Sequence, residues 1–144
     1  MIERARTTAD SAFKVPDTGK DPAILLFEDN PGDAWQTTAV IYDFWGDRVR
    51  LSHVSRIPEG LKLMERQRFD VILLDLVLPR YQGLETFRAV SSHAGQTPII
   101  VFSGLPLRRE VSSEIRQRAY GFFLKGEIQS RALLQSIQGA VSER

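Results

Sequence analysis

The sequence predicts an α/β fold, a doubly wound parallel sheet of five strands with helices on both faces. Three observations carry that expectation. Short apolar runs rich in Val, Ile, Leu and Phe recur along the chain, each too brief for a helix. Stretches with helical spacing separate them, and such alternation implies right-handed crossovers and a parallel sheet. Four of the five predicted strands end on an acid, a hydroxyl or an amine, at the edge where open parallel sheets bind their ligands.

The run Phe69-Asp-Val-Ile-Leu-Leu-Asp-Leu-Val-Leu-Pro79 organises the rest. It is continuously apolar, ends on Asp75 and is stopped by Pro79, the pattern of a central strand buried on both faces. Upstream, Ala-Ile-Leu-Leu-Phe at 23–27 is a second buried strand ending on Glu28 and Asp29. Asn30-Pro31-Gly32-Asp33 then reads as a turn with helix-start chemistry. Over 34–45, Trp35, Ala39, Val40 and residues 42–45 suit one broad helical face, closed by Gly46. Residues 48–54 set Val49, Leu51 and His53 against Arg50 and Ser52, an exposed strand. A helix over about 58–67 carries Leu61, Leu63 and Met64.

After the central strand comes a loop through Pro79 and Gly83, then a short helix with Leu84, Phe87 and Val90. Pro-Ile-Ile-Val-Phe at 98–102 is a buried strand ending on Ser103 and Gly104. Residues 107–119 are helical but charged. Tyr-Gly-Phe-Phe-Leu at 120–124 is the fifth strand, ending on Lys125. The last helix, 128–141, places Leu133, Leu134, Ile137 and Val141 on one side. Residues 1–21, polar with Pro16 and Gly19, are expected to be a disordered or loosely attached leader. A short docking helix over 3–13 is the alternative.

Composition excludes several chemistries. Nineteen basic and eighteen acidic residues leave a formal charge of +1, with no footprint for nucleic acid or a membrane surface. The absence of cysteine removes disulfides, thiolate metal sites and thiol nucleophiles. No apolar run is long enough to span a bilayer and no signal-peptide core is present, so a cytoplasmic location is expected.

Side by side, the predicted strand ends bring together Glu28, Asp29, Asp75, Ser103 and Lys125. Three close carboxylates repel and raise one another's pKa unless a cation is present. An all-oxygen set with open positions suits Mg²⁺. A hydroxyl and an ammonium beside it suit a phosphoryl group. Asp75 is then the natural nucleophile, forming an acyl phosphate.

With Glu28-Asp29, the Asp75 of Leu-Leu-Asp-Leu-Val-Leu-Pro, Gly83, Ser103-Gly104 and the Lys125 of Phe-Phe-Leu-Lys-Gly-Glu, the chain from Ala23 onward resembles the receiver domain of two-component response regulators, the CheY-like, flavodoxin-like fold. The resemblance implies strand order 2-1-3-4-5 and a receiver domain over 22–144. It implies that Asp75 takes phosphate from a histidine kinase or histidine phosphotransfer protein, a phosphoacceptor rather than an enzyme. Asp29, Asp75 and the Val77 carbonyl would bind Mg²⁺ directly, and Glu28 partly through water. Ser103 and Lys125 would hold phosphate oxygens. Ser103 and the aromatic position Phe122 would form a switch controlling a docking face on the fourth helix, fifth strand and last helix. That face would serve an output domain, a docking partner or a homodimer. No direct contact with nucleic acid or membrane is implied.

Two departures from the family pattern stand out. Gly126 replaces the proline often found after the lysine. A cis bond to a non-proline residue costs about 2.5–4 kcal/mol, so a trans loop shaped by glycine is expected. Phe122 replaces a frequent tyrosine, and without a hydroxyl to satisfy its inward state should be favoured.

Rival chemistries fit less well. A haloacid-dehalogenase-type phosphatase wants a second acid two residues past the nucleophile, where Val77 stands. A P-loop NTPase needs G-x-x-x-x-G-K-[ST], which is absent. A receiver fold that docks a partner without phosphorylation is the remaining alternative. His53 and His93 are read as structural or exposed, and Trp35, Phe44 and Trp45 as core and helix-packing residues. Arg108 and Arg109 are read as a solvated helix start. The ending from Leu134 resembles receivers that run through a helical linker into a signalling domain, so the expectation is either a single-domain docking regulator or a part of a longer protein.

Overall fold

The computed structural model describes residues 21–104, 106–126 and 130–142. Its main sheet contains β1 (Ala23–Phe27), β2 (Arg50–Val54), β3 (Val71–Asp75), β4 (Ile99–Ser103) and β5 (Gly121–Leu124), all parallel. Their order is 2-1-3-4-5, as the resemblance implied. Between the strands run α1 (Pro31–Trp45), α2 (Ile57–Arg66), α3 (Leu84–Ala94) and α4 (Arg109–Arg118), and α5 (Ser130–Ser142) follows β5. The predicted leader lies outside the described residues except for Asp21, and so does the predicted start of the last helix at Ile128. Among the described residues no helix is long and apolar enough to cross a membrane.

Each central strand feeds two cores by alternation, since successive side chains point to opposite faces. Ile24 and Leu26 of β1, Val71 and Leu73 of β3, and Ile100 and Phe102 of β4 meet Ile41 and Trp45 of α1 and Leu133, Leu134, Ile137 and Val141 of α5. The intervening Leu25, Phe27, Ile72, Leu74 and Val101 meet Ile57 of α2, Phe87 and Val90 of α3 and Ile115 of α4. Gly60 allows α2 to approach closely: a Cβ there would overlap the Phe27 ring.

Three expectations are corrected. Trp35, read as a packing residue, is 71% exposed, and Tyr42 is also exposed. The buried stripe of α1 runs through Ala34, Ile41 and Trp45, at helical spacing, and Trp35 sits one residue off it. Trp45 is buried and meets half-buried Phe44 edge-on at 4.7 Å between ring centroids, as read. The loop after β3 holds a minimal antiparallel ribbon, Val77–Leu78 against Tyr81–Gln82. Its turn places Arg80 at φ 72°, a left-handed conformation uncommon outside glycine.

Candidate functional site

The register decides which strand-end groups meet. Phe27 lies opposite Leu74, Asp75 opposite Phe102, and Ser103 opposite Leu124. Continuing the alternation, Glu28, Asp75 and Lys125 all fall on the side of the sheet covered by α1 and α5. Lys125 Nζ donates to Asp75 Oδ2 at 2.8 Å and lies 3.0 Å from Glu28 Oε1. Glu28 and Asp75 are each 3% exposed. Asp29, of opposite parity, is exposed, yet one oxygen each from Glu28, Asp29 and Asp75 lie within 4.8 Å of one another.

The backbone fixes these groups from several directions. Val77 N–H donates to Asp75 Oδ1 at 3.0 Å, and Asn30 N–H donates to Glu28 Oε2 at 3.2 Å. The Leu76 carbonyl accepts from Gly83 N–H at 2.9 Å and from the buried Thr86 hydroxyl at 2.7 Å, which anchors the loop after β3 to α3. Lys125 N–H donates to the Ser103 carbonyl at 2.7 Å, so the last two site elements share a backbone bond. Gly126 has φ +86°, a conformation that suits glycine, and no peptide bond among the described residues is cis, so the bond from Lys125 to Gly126 is trans as expected.

One site residue was missed. Asp33 Oδ2 accepts from Lys125 Nζ at 2.8 Å, so the ammonium touches three carboxylates. The available signal was position: an acid in the first turn of the helix that follows the Glu28-Asp29 strand end. Ser103 closes β4 at the same edge and is buried. Phe122 lies outside the polar cluster, half-buried against the α2–α4 core, with the Arg116 guanidinium 4.2 Å from its ring centroid. His53 is exposed, with Nε2 2.7 Å from the Glu28 carbonyl oxygen, a structural contact as read.

Charge is unevenly compensated. Burial, together with a hydrogen bond to and repulsion from Asp75, pushes the Glu28 carboxyl up to about 7, against the opposing pull of Lys125 and the Asn30 N–H. Burial disfavours the Lys125 charge, but hydrogen bonds to Asp33, Asp75 and Glu28 outweigh it and raise its pKa. Four acids to one ammonium is a set that a hard divalent cation fits. The donors of the Glu28, Asp29 and Asp75 group are all oxygens, as Mg²⁺ requires.

Comparison with known proteins agrees with this geometry. A family model for the response regulator receiver domain matches residues 24–138. The nitrate/nitrite response regulator protein NarL of Escherichia coli K12 is 29% identical over 126 residues, 87% of this chain and 57% of that protein. A protein-glutamate methylesterase/protein-glutamine glutaminase of Koribacter versatilis is 35% identical over 80 residues, 54% of this chain but 22% of that protein. The chain thus spans less than two thirds of these curated relatives. The receiver domain of sensor histidine kinase PA1611 from Pseudomonas aeruginosa PAO1, solved with magnesium in its active-site cleft, superposes with a TM-score of 0.67 at 25% identity. That match covers 84% of this chain and 98% of the other. Matched over most of its length, and with its acids and lysine gathered at the carboxyl edge of a 2-1-3-4-5 sheet, the chain belongs to the response regulator receiver domain family, the phosphoacceptor modules of two-component signalling.

Proposed function

We propose that Asp75 is the phosphoacceptor. The observation that carries this is the ion pair between Lys125 Nζ and Asp75 Oδ2 inside the Glu28–Asp29–Asp75 cluster. A carboxylate oxygen of Asp75 attacks phosphorus of a phosphohistidine, the P–N bond breaks, and the leaving imidazole takes up a proton. The product is an aspartyl acyl phosphate. Lys125 supplies countercharge to the phosphoryl oxygens and Ser103 a hydroxyl donor. Glu28, Asp29, Asp75 and the Val77 carbonyl would hold Mg²⁺, which when bound supplies countercharge to both carboxylate and phosphoryl oxygens.

The donor is a histidine kinase or histidine phosphotransfer protein, and the setting is cytoplasmic. The chain acts as a phosphoacceptor, catalysing only its own phosphotransfer and dephosphorylation. Ser103 and Phe122 couple the phosphoryl group to the α4–β5–α5 face, which engages an output domain, a docking partner or a second copy. The receiver domain occupies residues 22–144, preceded by the leader.

The test is incubation with acetyl phosphate and Mg²⁺, followed by intact mass spectrometry. The wild-type chain should carry one phosphoryl group and Asp75→Asn none, with its fold retained because the swap is nearly isosteric. An adduct persisting in Asp75→Asn would place the acceptor elsewhere. No adduct in the wild type would favour a docking module that works without phosphorylation.

A further inference from the structure

Asp33 takes no part in the function so far assigned, yet it makes one of the shortest contacts in the site. Its position explains why it is available. Asn30 caps α1, its side chain accepting from Asp33 N–H at 2.9 Å, with Pro31 at the first helical position. An acid three residues past the cap commonly reaches back to the cap's own N–H. Here that N–H is taken by Glu28 Oε2, and Asp33 turns its carboxylate to Lys125 instead. An ammonium has three hydrogens, and Lys125 has three carboxylate partners, Glu28, Asp33 and Asp75.

Two of those partners, Glu28 and Asp75, belong to the group of acids suited to a metal, and Asp33 does not. A cation entering that group competes with Lys125 for Glu28 and Asp75, whereas the bond to Asp33 is left intact. Asp33 is also the most solvent-open of the three, 42% exposed against 4% for each of the other two side chains.

We propose that Asp33 is a positioning residue for Lys125: it holds the ammonium at the rim of the site, so that a divalent cation can take Glu28 and Asp75 without displacing the lysine from phosphoryl reach. This rests on the reading of Asp75 as phosphoacceptor with Mg²⁺ beside it. Without Asp33 the ammonium settles on Glu28 and Asp75 and opposes the metal.

The experiment is a double-mutant cycle on Mg²⁺ affinity, measured by titration of the phosphate-free chain with wild type, Asp33→Asn, Lys125→Met and the double variant. Asp33→Asn should weaken Mg²⁺ binding by roughly three- to tenfold, a coupling within the usual range for contacting groups. In the Lys125→Met background the same change should have an effect of less than about twofold, because an open carboxylate outside the metal group is well screened. An equal loss in both backgrounds would mean that Asp33 acts on the metal directly, and would overturn this inference alone. A wild-type chain that binds no Mg²⁺ would overturn both it and the functional reading beneath it. A metal-free measurement stands beside the cycle. With lysine labelled at Cε, the Lys125 resonance should move in Asp33→Asn and return toward its wild-type position in Asp33→Glu. A resonance indifferent to Asp33 would also overturn the proposal.

Discussion

β3 and β5 carry the two oppositely charged groups of the site on very different foundations. All five residues of β3 are buried, with β1 and β4 on either side. All four residues of β5 are half-buried, and the strand is an edge. β5 is flanked by α4, which buries only Ile115 among its ten residues. Asp75 therefore sits on a fully buried interior strand and Lys125 on the end of a looser one. The difference teaches where motion is cheap. In the proposed function the acceptor must hold its geometry, whereas a strand that reports occupancy would benefit from a shallow energy well, and responsive segments are drawn from the less stable parts of a fold.

The largest expected effect tests this contrast directly. Leu73→Ala, in the middle of β3, should cost about 3 kcal/mol of unfolding free energy, as fully buried large-to-small changes do. Phe122→Ala on β5 should cost less, about 1–2 kcal/mol, since part of its apolar surface is already in water. Urea denaturation of both variants checks this, and equal losses would erase the distinction between centre and edge.

The next effect is electrostatic and belongs to the central side. Glu28 titrates near 7 in the folded chain and near 4.5 when unfolded. Between those values the native state holds the extra proton, so the Glu28 contribution to metal-free stability is fullest below 4.5 and is lost as pH rises through 7. The Glu28-dependent part should be roughly 3 kcal/mol. It is obtained as the difference between wild type and Glu28→Gln, whose pH dependence should be flatter. Over the same window Mg²⁺ affinity should rise with pH, because the ligand must lose its proton. Constant affinity from pH 6 to pH 8 would show that Glu28 stays ionised.

A smaller change probes the seam beneath β1. Gly60→Ala adds a methyl group that overlaps the Phe27 ring. It should destabilise by about 1–2 kcal/mol despite alanine's better helix propensity. A neutral or raised thermal midpoint would show that α2 can shift outward freely. The smallest expected effect is at the turn above β3. Arg80→Gly removes the penalty of a side chain at φ 72° but loosens the unfolded chain, for a net gain of a few tenths of a kcal/mol. A loss on thermal melting would mean that the arginine side chain contributes more than its backbone costs.

Much of the site was legible because it is written in short-range signals. Buried parallel strands read as unbroken Val, Ile and Leu runs, and a polar residue ending such a run stands at the sheet edge whatever the remaining contacts are. That is why Glu28, Asp29, Asp75, Ser103 and Lys125 could be named from spacing alone. Asp33 was obscured because Asn30-Pro31-Gly32-Asp33 is already accounted for as a helix start, and nothing local indicates that Glu28 satisfies the cap N–H and frees the second acid. Trp35 failed for a related reason. α1 is apolar on several sides, so its composition does not say which stripe faces the sheet.

By itself, then, the sequence determined the five strands of the main sheet and the helices between them, their parallel arrangement and the identity of the strand-end groups, all of which follow from hydrophobic period and turn chemistry within a few residues. Tertiary structure alone decided which of four acids the single ammonium touches, that Gly60 must admit the Phe27 ring, that Trp35 faces solvent, and that β5 is only half covered. Those outcomes depend on strand register and on how each helix is set against the sheet. Both are fixed by contacts between residues far apart in the chain, such as the 92 positions separating Asp33 from Lys125, and no local pattern records them.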